Sequence, residues 1–71
     1  MAVPEQPRAG VLVIRLWVEP DPPRLRARIV DVSDLQIGEA VSRAAADVDV
    51  ILEIVEDFLS RFTRDAGVTA S

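Results

Sequence analysis

Apolar residues along this chain fall into distinct rhythms. From Val11 to Glu19 the run VLVIRLWVE is nearly all apolar and rich in β-branched residues, with Arg15 its one interior break, which predicts a strand. Pro20-Asp21-Pro22-Pro23 stops it, because proline brings no amide to a sheet ladder. From Arg24 to Ser33, RLRARIVDVS alternates charged and apolar positions and predicts a second strand, joined to the first by a four-residue hairpin loop. Near Asp47–Arg64 the period changes. Val48, Ile51, Leu52, Ile54, Val55, Phe58, Leu59 and Phe62 fall within an arc of about 160° at 100° per residue, the stripe of an amphipathic helix. Asp47 or Asp49 supplies its N-cap, Arg61 and Arg64 suit its last turns, and Gly67 is its stop.

The stretch Asp34–Ala46 admits two readings. As a helix, Ser33-x-x-Gln36 is a capping box and the alanines favour it. As a strand, Glu39–Ala45 follows a turn at Gly38 and runs straight into the Asp47 cap. A two-stranded hairpin under one helix is hard to stabilise, and a third strand helps, so the strand is preferred. The expected fold is α+β: a three-stranded antiparallel sheet with one C-terminal helix packed on one face (β-β-β-α), with β-β-α-α as the alternative. Residues 1–10 read as a flexible N-terminal segment, residues 11–64 as a single α+β domain and residues 65–71 as a flexible tail.

A loop at residues 20–23 fixes the hairpin register, with Glu19 opposite Arg24. Val18 then faces Leu25, Leu16 faces Ala27 and Ile14 faces Ile29, and this apolar side is expected to take the helix. The other side pairs Trp17 with Arg26, Arg15 with Arg28, Val13 with Val30 and Val11 with Val32. One helix covers one face, so this second face is expected to stay open. Arg15 opposite Arg28 costs up to about 1 kcal/mol as like charges across a strand pair. A cation–π contact of Trp17 with Arg26 would recover about 0.5–1 kcal/mol of that. An open apolar patch with an aromatic anchor and arginine forks is the residue mix of interfaces, which makes Val11, Val13, Arg15, Trp17, Arg26, Arg28, Val30 and Val32 the candidate partner-binding residues. The alternative is a solvated face whose arginine stems shield the valines.

Composition narrows the chemistry. The chain has 71 residues, enough for one domain, and its 49% hydrophobic content argues against a disordered tail. At this size only about 61% of the unfolded surface is buried on folding, a thin margin for a lone monomer without disulfides or zinc. His, Cys, Tyr and Lys are all missing, so imidazole, thiolate, amine and phenol are unavailable as bases, nucleophiles or acids. The expectation is a protein that is not an enzyme and that takes no cofactor and no metal. Glu53, Glu56 and Asp57 share a helical face but lack the turned loop of a calcium site.

All eight basic residues are arginine, as a GC-rich bacterial genome would yield. Residues 1–28 carry five Arg and three acids, or +2, whereas residues 29–71 carry three Arg and nine acids, or −6. Nucleic acid could meet only the first half. The apolar run at Val11 is too short for a membrane span and lacks signal-peptide anatomy, so a cytoplasmic protein without membrane association is expected. The most apolar strand lies at a sheet edge, and an uncovered edge invites pairing, most simply with a second copy. Together these features point to a non-catalytic protein–protein interaction module, homodimeric, that uses the open face and edge strand. The alternative is a toxin-neutralising or nucleic-acid-binding regulator that uses the arginine-rich hairpin face.

In element order, VLVIRLWVE, RLRARIVDVSDL, EAVSRAAA and DVDVILEIVEDFLSRF resemble HicB-like antitoxin domains, with an echo in Asp31-Val32-Ser33-Asp34-Leu35. Gln36-Ile37 stands where that family has Pro-Gly. The resemblance spans most of residues 11–62 and implies a partial RNase H-type β-β-β-α fold that binds and blocks a small toxin. It is a likeness of element order.

Overall fold

The computed structural model describes residues 7–68; the outer parts of the expected N-terminal segment and tail, residues 1–6 and 69–71, lie outside the described residues. Strands β1 (Val11–Glu19), β2 (Arg24–Val32) and β3 (Ala40–Ala45) precede helix α1 (Val48–Asp65). The strands form one antiparallel sheet in the order β1-β2-β3, so the fold is β-β-β-α. The hairpin register is the expected one throughout, from Glu19 opposite Arg24 to Val11 opposite Val32. A four-residue turn holds it, in which Asp21 takes a positive φ of 58°, a conformation that aspartate tolerates better than most residues.

The middle segment resolves as a turn and a strand. Asp34 organises the turn: its Oδ1 accepts from the Gln36 amide at 2.9 Å, and its carbonyl accepts from the amides of Ile37 and Gly38. Gly38 follows at φ 77°, where a side chain would be strained. β3 then pairs with the second half of β2, from Val32 opposite Ala40 to Ala27 opposite Ala45. The start of β2 and the end of β1 therefore project beyond β3.

Two residues, Ala46 and Asp47, join β3 to α1. Asp47 is in extended conformation and its Oδ1 accepts from the Val50 amide at 2.9 Å, satisfying one of the free amides of the first turn. At the other end Ala66 is the C-cap and Gly67 turns away at φ 79°. So short a link starts the helix directly at the end of β3. Arg43 of β3 lies 3.7 Å from Asp57, and Asp57 also accepts from Arg61 Nε at 2.9 Å. The helix thus runs over β2 and β3.

The core is correspondingly small. Ala27, Ile29, Ala45 and Phe58 are the buried apolar residues among those described, with Leu12, Ile51 and Ile54 packed against the Ala27–Ile29–Ala45 cluster. The helix-side face of β1 was expected to be covered, yet Ile14 is 39%, Leu16 58% and Val18 61% exposed. The short link starts the helix beside β3, and from there it covers β2 and reaches β1 only at Leu12, leaving Ile14, Leu16 and Val18 open.

The far end of the sheet is closed by the segment before β1. The Ala9 carbonyl accepts from the Leu35 amide at 2.9 Å, and the Arg8 guanidinium lies 5.6 Å from the centre of the Phe62 ring. Between them, Gly10 passes so close that a Cβ there would stand 2.8 Å from the Val32 carbonyl oxygen and 3.1 Å from the Phe62 ring. Phe62 in turn stacks on Phe58 with ring centres 6.1 Å apart.

Candidate functional site

The pleat sends alternate side chains to opposite faces. Val11, Val13, Arg15, Trp17 and Glu19 of β1 share the face opposite α1 with Arg24, Arg26, Arg28, Val30 and Val32 of β2. Ala40, Ser42 and Ala44 of β3 complete it. No described element covers this face. Trp17 remains 40% exposed, Val11 and Val13 are exposed, and Val30 and Val32 are half-buried by their neighbours in the sheet. The eight candidate residues therefore do lie on one surface, with the valines toward one end and the arginines and indole toward the other.

The directly opposed guanidiniums of Arg15 and Arg28 part in opposite directions. Arg15 folds back along its own strand until its Cζ lies 5.5 Å from the centre of the Trp17 ring. Arg28 reaches across to β3, where Nη1 donates to Ser42 Oγ at 3.0 Å. The expected contact of Trp17 with Arg26 is thus replaced. Arg26 instead pairs through Nε with Glu19 Oε1, its diagonal neighbour across the hairpin. Carboxylate competes better than an indole face for an arginine within reach, which leaves the ring to the residue two positions before it on the same strand.

The projecting hairpin creates a further feature that sequence reasoning did not register. Where β3 ends and β2 continues, an open pocket of about 230 Å³ lies between Trp17, Arg26 and Arg28 on one side and Ala44, Ala45 and Ala46 on the other. The alanine run sets its depth, since larger side chains at the end of β3 would fill it. A planar or carboxylate-bearing group entering there would meet an aromatic face and two guanidiniums. The signal available in the sequence was the difference in strand length, nine residues in β2 against six in β3.

Beneath the helix the sheet carries one buried polar residue among those described. Asp31 is buried and no group among the described residues hydrogen-bonds its Oδ2; the same lack of a partner holds for Arg61 Nη2, on the turn of α1 that follows Asp57. On the helix exterior Glu53, Glu56 and Asp57 border a shallow depression together with Ser60. Asp57 there is engaged by Arg43 and Arg61. No group of three potential metal ligands converges among the described residues, and no helix among them is long and apolar enough to cross a membrane. No protein-family model, curated protein or solved structure matches this chain.

Proposed function

We propose that this chain is a non-catalytic interaction module that acts as a homodimer and receives a partner protein on its open sheet face. The observation that carries the reading is the composition of that face. An exposed indole sits between Arg15 and a pocket walled by Arg26 and Arg28, beside a patch of valines, and no described element covers it. Arg15, Arg24, Arg26 and Arg28 against Glu19 give the face a net charge of +3, so the fitting partner presents carboxylates around an apolar or aromatic group. The chain's missing His, Cys, Tyr and Lys support a role in binding over catalysis.

A regulator that neutralises a toxin or holds nucleic acid is the second reading, favoured by the four arginines gathered on one hairpin face. Comparative pull-down from the native cell separates the two. With the wild-type chain as bait, a defined protein is expected to co-purify, and the double variant Trp17→Ala/Arg28→Ala is expected to lose it while keeping the wild-type circular dichroism spectrum. Identical captures by both baits would sink the docking face. Retention of nucleic acid, with affinity that falls steeply as salt rises, would favour the second reading.

A further inference from the structure

A second apolar surface lies on the opposite side of the sheet, in the trough between α1 and the edge strand. Asp57 faces Arg43, which fixes the β3 flank of α1. At 100° per residue Val48, Leu52 and Leu59 point about 140–180° away from Asp57, on the flank that overlooks β1. All three are more than half exposed, as are Leu16 and Val18 on the strand below, with Ile14 at about two-fifths. These six side chains form the two walls of one trough, and nothing in the described chain fills it.

We infer that the trough is occupied by a second copy of this chain, joined by antiparallel pairing of β1 with its counterpart about a two-fold axis. The result is a six-stranded sheet with both helices on the same face. This rests on the homodimer reading above and assigns it a place, the β1 edge and the trough, which meets the open face only along Arg15 and Trp17. Three features specify a copy of the chain as occupant. β1 is an unpaired edge of nine residues with no proline, and it carries one charge of each sign, Arg15 and Glu19. A two-fold axis through Leu16 sets Leu16 against itself, Ile14 against Val18, and Arg15 against Trp17 of the other copy, which extends the stacking already present within the chain. An axis through Arg15 would oppose two guanidiniums, a repulsion that the register about Leu16 avoids. The same symmetry brings the two Val48–Leu52–Leu59 flanks to face each other above the joined strands. The exposed area of the six side chains, on the order of 500–600 Å² per copy, supplies most of the ~800 Å² per partner of a standard interface, and the β1 backbone edge adds the rest.

Sedimentation equilibrium on the wild-type chain is expected to return twice the 7.8 kDa chain mass at micromolar concentration. Leu16→Arg and Leu52→Arg alter side chains already exposed in the single chain, so each is expected to keep the wild-type circular dichroism spectrum while the dissociation constant rises at least tenfold. Leu16→Cys, in a chain with no other cysteine, is expected to oxidise to a covalent dimer, whereas Ser42→Cys on β3 is not. A dimer unaffected by both arginine variants overturns the inference. So does a dimer broken by Arg28→Glu alone, which would place the second copy on the open face and leave the homodimer reading standing. A wild-type chain that stays monomeric at high concentration overturns both the inference and the homodimer, while capture of a partner lost on Trp17→Ala/Arg28→Ala would still support the docking face.

Discussion

The two halves of one sheet face have opposite fates. On β2, Ala27, Ile29 and Asp31 lie beneath α1 with at most 2% of their surface exposed. On β1, directly across the hydrogen-bonded ladder, Leu16 and Ile14 are the neighbours of Ala27 and Ile29 yet stand in water. The bare half carries larger apolar side chains than the covered half, whose cluster includes two alanines. Hydrophobicity alone therefore does not decide what is buried. The anchoring of the helix does, and the strand with the greater apolar area is the one it leaves out.

Substitution can break this contrast, and the largest effect belongs to the covered half. Ile29→Ala is expected to cost about 2–5 kcal/mol of unfolding free energy, because a fully buried side chain leaves a cavity under the helix. Leu16→Ala, one step along the neighbouring strand, is expected to cost well under 1 kcal/mol in dilute monomer. Urea titration of both variants at two protein concentrations checks the pair. Equal losses for both at the lowest concentration would mean that the helix lies over β1 after all. At higher concentration the cost of Leu16→Ala should rise toward that of a buried residue, since dimerisation links stability to chain concentration.

The anchor itself can be weakened next. Asp47→Ala removes the acceptor for the Val50 amide and is expected to cost about 1 kcal/mol, read as a lower melting temperature with frayed first-turn amides in hydrogen exchange. Arg43→Gln tests the smallest contribution. Its contact with Asp57 is 3.7 Å long and exposed on both sides, so a loss of under about 0.5 kcal/mol is expected, vanishing at high salt. A larger loss would show that this pair, more than the short link, decides which strands the helix covers.

Much of this arrangement was legible before any coordinates. The proline-rich corner fixes where the first strand ends, and side-chain alternation then sets every pair from Glu19–Arg24 to Val11–Val32. The third strand was readable from Gly38 and from the closeness of Glu39–Ala45 to the Asp47 cap, although the structure starts it one residue later, at Ala40. The helix position was less legible. Amphipathic spacing shows which stripe of α1 turns inward but not which strands it meets, because lateral placement depends on a two-residue link and one cross-element contact. The partner of Trp17 was missed for a local reason. Arg15 and Arg26 are both within reach of the indole, and the choice turned on Glu19, a diagonal neighbour that claimed Arg26. The eight candidate residues were found together on one face because alternation alone determines that, while the pocket beside them depended on where β3 stops.

The bridge of Ala46 and Asp47 has a consequence for how such a chain could evolve. A longer bridge would let the helix shift from the middle strand toward β1 and cover Leu16 and Val18 from within the same chain. Two residues forbid that migration. On the dimer reading proposed above, solitude and company would be separated by the length of a single connector, without any change in the residues that do the packing.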